Sequence, residues 1–349
     1  MSDEHAYSHP GQPVRHSYPL AIESASISTG LELVLKTLPY SLVRFGILLA
    51  LSIGSLLWLV MTFGGYLWLA SSSVPLLAYP WFMGWAVVGG WGYWAVGRYF
   101  LYMLKAGHIA VLTELITKGH VDNGQRGMFE YGKDVVKERF GQMNAMFALD
   151  LLVDGVVRSF NRTLDWVARL LPIPGLEGMT RMVNAVLRAS TTYVDETLLS
   201  YSLARNDENV WRSSQDGLVY YAQNAREVLK TGLWIVLLDK VLSVLIWVVC
   251  LAPGFLFSYL FPSVSLGGLL PLIAAALFAS NIRQAFLKPL FLTMVMVKFH
   301  HSIQAQAIEP AWDARLTDLS DKFRTIKDRA RQPAPAVVQS TTGNVAPAQ

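Results

Sequence analysis

Two adjacent charges, Asp239 and Lys240, interrupt an otherwise apolar run, "GLWIVLLDKVLSVLIWVV", which covers residues 232–249. Ionisable side chains inside such a run are costly in lipid, and they mark ion paths, proton relays or structural ion pairs. If the helix begins near Leu233, both residues lie ~10 Å inside the cytoplasmic boundary of the membrane by helical rise. Lys240 can reach back to the headgroups because helical side chains lean towards the N-terminus, whereas Asp239 is too short. Asp239 therefore needs a partner.

The partner follows from the geometry of a helical hairpin. Reflecting position 239 through the turn at Phe261 gives position 283, which is an arginine. Two antiparallel spans would hold Asp239 and Arg283 at the same depth, and an unpaired charge there costs on the order of 3 kcal/mol. The pattern predicts an ion pair that acts either as a structural clamp between the last two spans or as part of a substrate or proton site. The clamp is the simpler interpretation.

A second set of charges recurs every four positions in "GQMNAMFALDLLVDGVVRSFNRTLDWVARLLP", residues 141–172, and includes Asp150, Asp154 and Arg158. Helical periodicity collects these charges into a narrow stripe beside a wide apolar arc. Such a helix either lies in the membrane interface with its charges paired at i,i+4, or crosses the bilayer with its charges facing protein or a water-filled path. The sequence leaves both interpretations open. It also leaves open whether Asp195 and Glu196 contribute to a polar cavity or to a solvated face.

Tryptophans and glycines dominate the segment "YPWFMGWAVVGGWGYWAVGRYFLY", which begins at residue 79. Glycines let membrane helices approach closely, and tryptophans anchor helices at the lipid interface, so a packing role is the simpler interpretation. The alternative is an aromatic cation site formed by Trp85, Trp91 and Trp94, because indole faces attract quaternary ammonium groups.

Composition indicates the medium in which these residues act. The chain has 349 residues, of which 53% are hydrophobic and 15% charged, with a mean hydropathy of +0.35, and this favours a lipid bilayer. The net charge of +4 is spread beside apolar segments, so no nucleic-acid partner is expected. A single cysteine, Cys250, excludes an intrachain disulfide and a cysteine-rich metal site. The chain carries none of the common ATPase, dinucleotide, zinc-protease or hydrolase motifs, so we expect no enzyme, cofactor or metal.

Four segments are long and apolar enough to span a bilayer, since a span needs ~20 residues. They form two hairpins whose turns, "ASSSVP" and "FPSVSLGG", carry no charge, while lysines and arginines flank the opposite ends. The positive-inside rule then places both turns outside and both termini in the cytoplasm of a bacterial-type inner membrane. The predicted spans are 42–69, 76–101, 232–261 and 266–297.

The predicted fold class is therefore all-α, a polytopic membrane helix bundle of two transmembrane hairpins plus central amphipathic or additional membrane helices. The bilayer is the expected partner, and the pattern is also compatible with a small-molecule or ion substrate and with a homo-oligomer. The predicted divisions are a mostly disordered cytoplasmic tail at 1–40, hairpins at 41–104 and 231–300, central amphipathic or membrane-associated helices at 105–230, a cytoplasmic helix at 301–330 and a disordered tail at 331–349.

Three segments together resemble the C-terminal portion of the choline transporter-like family. They are "FGQMNAMFALDLLVDGVVRSFNRTLD", "VLLDKVLSVLIWVV" and "FLKPLFLTMVMVKFHHSI", and the likeness covers roughly residues 140–302. The resemblance implies a multispan bundle that moves choline or a related amine, with Asp239 and Lys240 at matching positions. The chain departs from that family because it lacks the large extracellular loop after the first span and has fewer predicted spans.

The sequence is thus compatible with two functions. The first is a transporter-like or channel-like bundle in which the charged stripe, Asp239 and Arg283 line a hydrophilic path. The second is a non-transporting membrane scaffold that assembles partners or organises lipid. The stripe distinguishes them, because a path needs its charges to face inward, whereas a scaffold tolerates charges that face the cytosol.

Overall fold

The structure, a computed structural model, describes residues 18–92, 101–139, 149, 152–159, 192–206, 209–260 and 269–332. These ranges consist of helices and connecting segments and contain no β-strand, so the all-α prediction is confirmed for them. A π-helical turn, Arg283–Leu287, joins two of the helices. The helices are α1 Ile27–Lys36, α2 Leu38–Ala70, α3 Ala78–Gly92, α4 Leu101–Lys118, α5 Met128–Glu138, α6 152–159, α7 Val194–Arg205, α8 Val210–Gln223, α9 Ala225–Leu260, α10 Leu269–Ile282, α11 Lys288–Ile303, α12 Pro310–Leu319 and α13 Asp321–Ala330.

Two of these helices, α2 and α9, are long and apolar enough to cross a membrane. Only 11% of the most apolar 18-residue window is buried in each of them, whereas the core helix of a soluble protein would bury most of its side chains. α2 has 33 residues and α9 has 36, so each is about 50 Å long. The other two predicted spans include α3 and α10, which are described over 15 and 14 residues respectively.

Glycines and tryptophans hold the first hairpin together. The ring of Trp81 lies against Gly65, and the ring of Trp58 lies against Gly89, so a Cβ atom at either glycine would come within 2.3 Å of an indole atom. The indole nitrogen of Trp58 also donates to the carbonyl oxygen of Trp85 at 3.0 Å. Only residues without a side chain allow α2 and α3 to approach this closely.

The second hairpin consists of α9 and α10, and it contacts the first hairpin through α2. The amide nitrogen of Asn281 donates to the hydroxyl of Ser52 at 2.9 Å. The rings of Phe45 and Phe278 meet edge to face with centroids 5.5 Å apart. A polar link and an aromatic contact therefore hold the two hairpins side by side.

The ends of α2 and α9 that lie opposite the hairpin turns meet a helical body. In this body α4, α7, α8 and α11 form the core. Every residue of α4 from Ala106 to Thr117 is buried, which is the property of a helix enclosed on all sides. The largest fully enclosed side chains of this core include Tyr201, Tyr220 and Phe299. α12 and α13 cover α8 on the outside of the body.

The predicted, mostly disordered tail at residues 1–40 contains α1 in its second half. Residues 18–40 are ordered, and α1 packs its Leu33 and Val34 against the body. Two apolar residues side by side in a short helix suffice for this docking, although the flanking composition is polar. The predicted single helix at 301–330 is instead α12 and α13, separated at Ser320, whose hydroxyl caps α13. Residues 1–17 and 333–349 lie outside the described part of the chain.

Candidate functional site

The structure brings Asp239 of α9 and Arg283 of the π-helical turn into direct contact. Arg283 donates from Nε to Asp239 Oδ1 at 2.9 Å and from Nη2 to Asp239 Oδ2 at 2.6 Å. This two-pronged geometry is the strongest form of a guanidinium–carboxylate pair. The Asp239 side chain is 20% exposed and that of Arg283 is 49% exposed, so the pair lies at the surface of the protein itself. The contact agrees with the hairpin geometry, and whether it serves a path or a clamp stays a prediction.

Tyr193, directly before α7, lies near this pair. The charges of Glu196, Asp239 and Arg283 all act on its hydroxyl. Burial, followed by the charge of Glu196, raises the pKa of Tyr193 above its usual value, so the phenol stays neutral. Tyr193 is therefore a neutral phenol within electrostatic reach of Glu196 and of the Asp239–Arg283 pair.

The second charged pair is Lys105 of α4 with Glu196 of α7. Lys105 Nζ lies 2.8 Å from Glu196 Oε1, and the two side chains are 23% and 11% exposed. Burial alone would lower the pKa of Lys105, but the charges of Glu196 and Asp195 more than offset this, so the pKa is raised. Glu196 thus belongs to an enclosed ion pair and not to a solvated face.

Two further cations lie beside these pairs. Arg44 of α2 and Lys288 at the start of α11 form no ion pair with any residue that the structure describes. Phe45, which follows Arg44, and Phe286, two positions before Lys288, are in contact, with ring centroids 5.8 Å apart. Three cations, Arg44, Arg283 and Lys105, and one carboxylate, Glu196, are close enough to act on the charge of Lys288. We call the following set the junction cluster: Arg44, Lys105, Glu196, Asp239, Arg283 and Lys288.

Lys240 does not join the junction cluster. Its side chain is exposed on α9, and it forms no ion pair with the described residues, although its neighbour Asp239 does. Adjacent helical residues point about 100° apart, so the side chains of Asp239 and Lys240 face different surroundings.

The charged stripe of α6 faces away from the protein core. Arg158 Nη2 lies 2.7 Å from Asp154 Oδ2, one helical turn earlier, and their side chains are 70% and 46% exposed. On the opposite face, Val153 and Val156 are buried, and Gly155 lies against the side chain of Lys322 in α13. This arrangement matches the interpretation of opposite charges paired at i,i+4 on an exposed face. Asp150 lies outside the described residues.

The predicted aromatic cation site is not assembled by the tryptophans that the structure describes. Trp85 packs against Trp81 with ring centroids 5.7 Å apart, whereas Trp91 is 70% exposed and has no ring contact with Trp85. The two indoles therefore do not form a common cage. Trp94 lies outside the described residues.

Sequence reasoning missed a buried polar chain through the middle of the body. Ser200 Oγ lies 2.8 Å from His300 Nε2, and the Tyr18 hydroxyl lies 2.5 Å from His300 Nδ1. Ser200 and His300 are fully buried, and burial lowers the pKa of His300 to about 3. The imidazole is neutral and closed to substrate, so this serine and histidine link α7, α11 and the N-terminal segment structurally. Their separation by 100 positions leaves no local signal in the sequence.

A polar cavity of about 370 Å³ lies between α4, α5 and the end of α7. Its carboxylate Glu114 contacts Lys118 at 2.8 Å and accepts from the Tyr131 hydroxyl at 3.0 Å. Arg126 on its rim is paired with Asp134 at 2.9 Å. Because these charges already neutralise one another, the cavity has less unpaired charge to offer a ligand than the junction cluster has.

The described residues contain no group of three or more His, Cys, Asp or Glu side chains placed to hold a metal ion. No protein-family model, no curated protein and no solved structure matches the chain. The likeness to the choline transporter-like family consequently rests on the three quoted segments alone.

Proposed function

We propose that the chain is a multi-pass membrane protein that acts as a scaffold. Its two apolar hairpins anchor it in a bacterial-type inner membrane, with both termini in the cytoplasm, and its helical body stands on the cytoplasmic face. In this proposal the body offers an outer surface for partners or lipid, and no solute passes through the bundle.

The outward direction of the α6 charges carries this proposal. A hydrophilic path would need Asp154 and Arg158 to face inward, and instead they form an exposed pair over the body. The exposed apolar windows of α2 and α9 support the membrane placement, because in each helix only 11% of the most apolar window is buried, and apolar surface left in water costs ~25 cal/mol for each Å² that could be buried. The uncharged turns and basic flanks support the orientation.

A second candidate function, transport of a choline-like amine or another small solute, is favoured by one observation. The pair of Asp239 and Arg283 lies beside Lys288 and near Tyr193, so charged and hydrogen-bonding groups meet where the hairpins enter the body. A carboxylate that exchanges Arg283 for an organic cation would be a simple means of binding such a substrate.

Flux into proteoliposomes distinguishes the two functions. Purified full-length protein is reconstituted, and uptake of radiolabelled choline and of inorganic ions is compared with empty liposomes. The scaffold proposal expects no protein-dependent flux, together with retention in the membrane after alkaline carbonate extraction. Flux that is lost in Asp239→Asn and kept in Lys240→Gln would establish transport at this pair and overturn the scaffold.

A further inference from the structure

We propose that Arg44 and Lys288 form a binding site for the phosphate group of an anionic phospholipid headgroup. The site lies where α2 passes the π-helical turn, on the cytoplasmic side of the hairpins. The inference rests on the proposed membrane placement of α2 and α9, and it adds a lipid class to the scaffold.

The junction cluster has more cations than carboxylates. Asp239 is occupied by Arg283 through two hydrogen bonds, and Glu196 by Lys105 at 2.8 Å, with Asp195 as a further negative charge that acts on Lys105. The charge of Glu196 also acts on Arg44 and Lys288, but neither has a carboxylate at ion-pair distance among the described residues. Cations placed together repel each other, and an anion bound between them removes that repulsion.

The position of the two cations agrees with the headgroup layer. Arg44 lies 26 residues before the end of α2 at Ala70, which is about 39 Å of helix, close to the ~40 Å that separates the headgroup layers of a bilayer. Lys288 lies 19 residues after Leu269, which is about 29 Å of helix and close to the ~30 Å thickness of the hydrocarbon core, so it lies at the edge of that core. A phosphate at this level is supplied by the lipid itself.

The surroundings suit a lipid better than a free phosphate ion. Phe45, the neighbour of Arg44, contacts Phe278 and Phe286, so aromatic rings fill the space between α2 and the second hairpin next to Arg44. On the outer side Leu42 and Val43 are 53% and 42% exposed, and they offer an apolar surface next to the cations. A headgroup on the cations would leave its acyl chains against this surface.

Binding of short-chain phosphatidylglycerol to the detergent-solubilised full chain tests the site. We expect dihexanoyl phosphatidylglycerol to bind more tightly than dihexanoyl phosphatidylcholine. The affinity for phosphatidylglycerol should fall about fivefold for each cation that is neutralised, in Arg44→Gln and in Lys288→Gln. Lys240→Gln is the matched control, because it removes an exposed cation of α9 outside the junction cluster, and it should leave the affinity unchanged. The charge-conserving variants Arg44→Lys and Lys288→Arg should retain binding, which separates loss of charge from loss of folding.

Three results would overturn the proposal. They are equal affinity for phosphatidylglycerol and phosphatidylcholine, equal weakening in Lys240→Gln, and equal binding of inorganic phosphate without lipid. A protein that resists carbonate extraction but shows any of these results retains its membrane placement and loses only the lipid site. A protein that carbonate extracts loses the placement itself.

Discussion

Arg283 donates two hydrogen bonds to Asp239, at 2.9 and 2.6 Å, across a separation of 44 positions in the chain. The contact joins the two helices of the second hairpin near the point where they enter the helical body. Because the Arg283 side chain is half exposed, its energetic value depends on the medium around it.

Breaking this pair should destabilise the protein moderately. Asp239→Asn leaves the guanidinium of Arg283 without its carboxylate, and we expect a loss of about 1–2 kcal/mol in unfolding free energy, discounted for the exposure of Arg283. Thermal unfolding in detergent measures the loss. The double variant Asp239→Asn with Arg283→Gln should lose less than the two single variants summed, and strict additivity would show that the pair has no coupling.

Two neighbouring glycines of the first hairpin, Gly89 and Gly90, should respond differently to replacement by alanine. Gly89→Ala places a methyl group within 2.3 Å of the Trp58 ring and should cost about 1–3 kcal/mol through overpacking. Gly90→Ala adds the same methyl group at a position with no atom within 4 Å, and it should be neutral or slightly stabilising. Melting temperatures of the two variants in the same detergent provide the comparison, and equal melting temperatures would contradict the packing of Trp58 on Gly89.

The buried His300 predicts a loss of stability on acidification. Its folded pKa of about 3 lies below its usual value of 6.5, because burial disfavours the charged imidazole. The stability that comes from keeping it neutral is present above pH 6.5 and is lost as the pH falls from 6.5 towards 3, at up to about 1.4 kcal/mol per pH unit. Urea unfolding at pH 6.5 and pH 5.0 measures this slope.

A variant without the imidazole checks the source of this slope. His300→Asn should flatten the pH dependence by about one proton. His108 is likewise fully buried, and burial lowers its pKa to about 3, so part of the slope should persist in His300→Asn. An unchanged slope in His300→Asn would exclude His300 as a contributor.

The enclosed pair of Lys105 and Glu196 should contribute more to the free energy of unfolding than an exposed pair does. Glu196→Gln leaves the Lys105 ammonium buried beside a neutral amide, and we expect a loss of about 3 kcal/mol in unfolding free energy. Glu32→Gln disrupts the pair of Lys36 with Glu32, whose side chains are 50% and 64% exposed, and should cost less than about 0.5 kcal/mol. Denaturant unfolding of both variants gives the comparison, and similar losses would contradict the enclosure of Glu196.

The amino-acid sequence by itself determined the all-α class of the described residues and the pairing of the two helices in the second hairpin. Long apolar runs with uncharged turns predict helices of membrane length, because composition and helical rise act locally along the chain. The partner of Asp239 could be predicted for the same reason, since an antiparallel hairpin relates positions by simple counting. Four-residue spacing likewise placed Asp154 and Arg158 on one face of α6.

Only the tertiary structure decided which way that face points and which groups are enclosed. The α6 charges face outward because Val153 and Val156 on the other face are buried in the body, and no local pattern specifies that neighbour. His300 meets Ser200 across 100 positions and Tyr18 across 282, and Arg44 meets the π-helical turn through a contact between Phe45 and Phe286. Such contacts depend on how separate helices pack, and packing is a property of the whole chain.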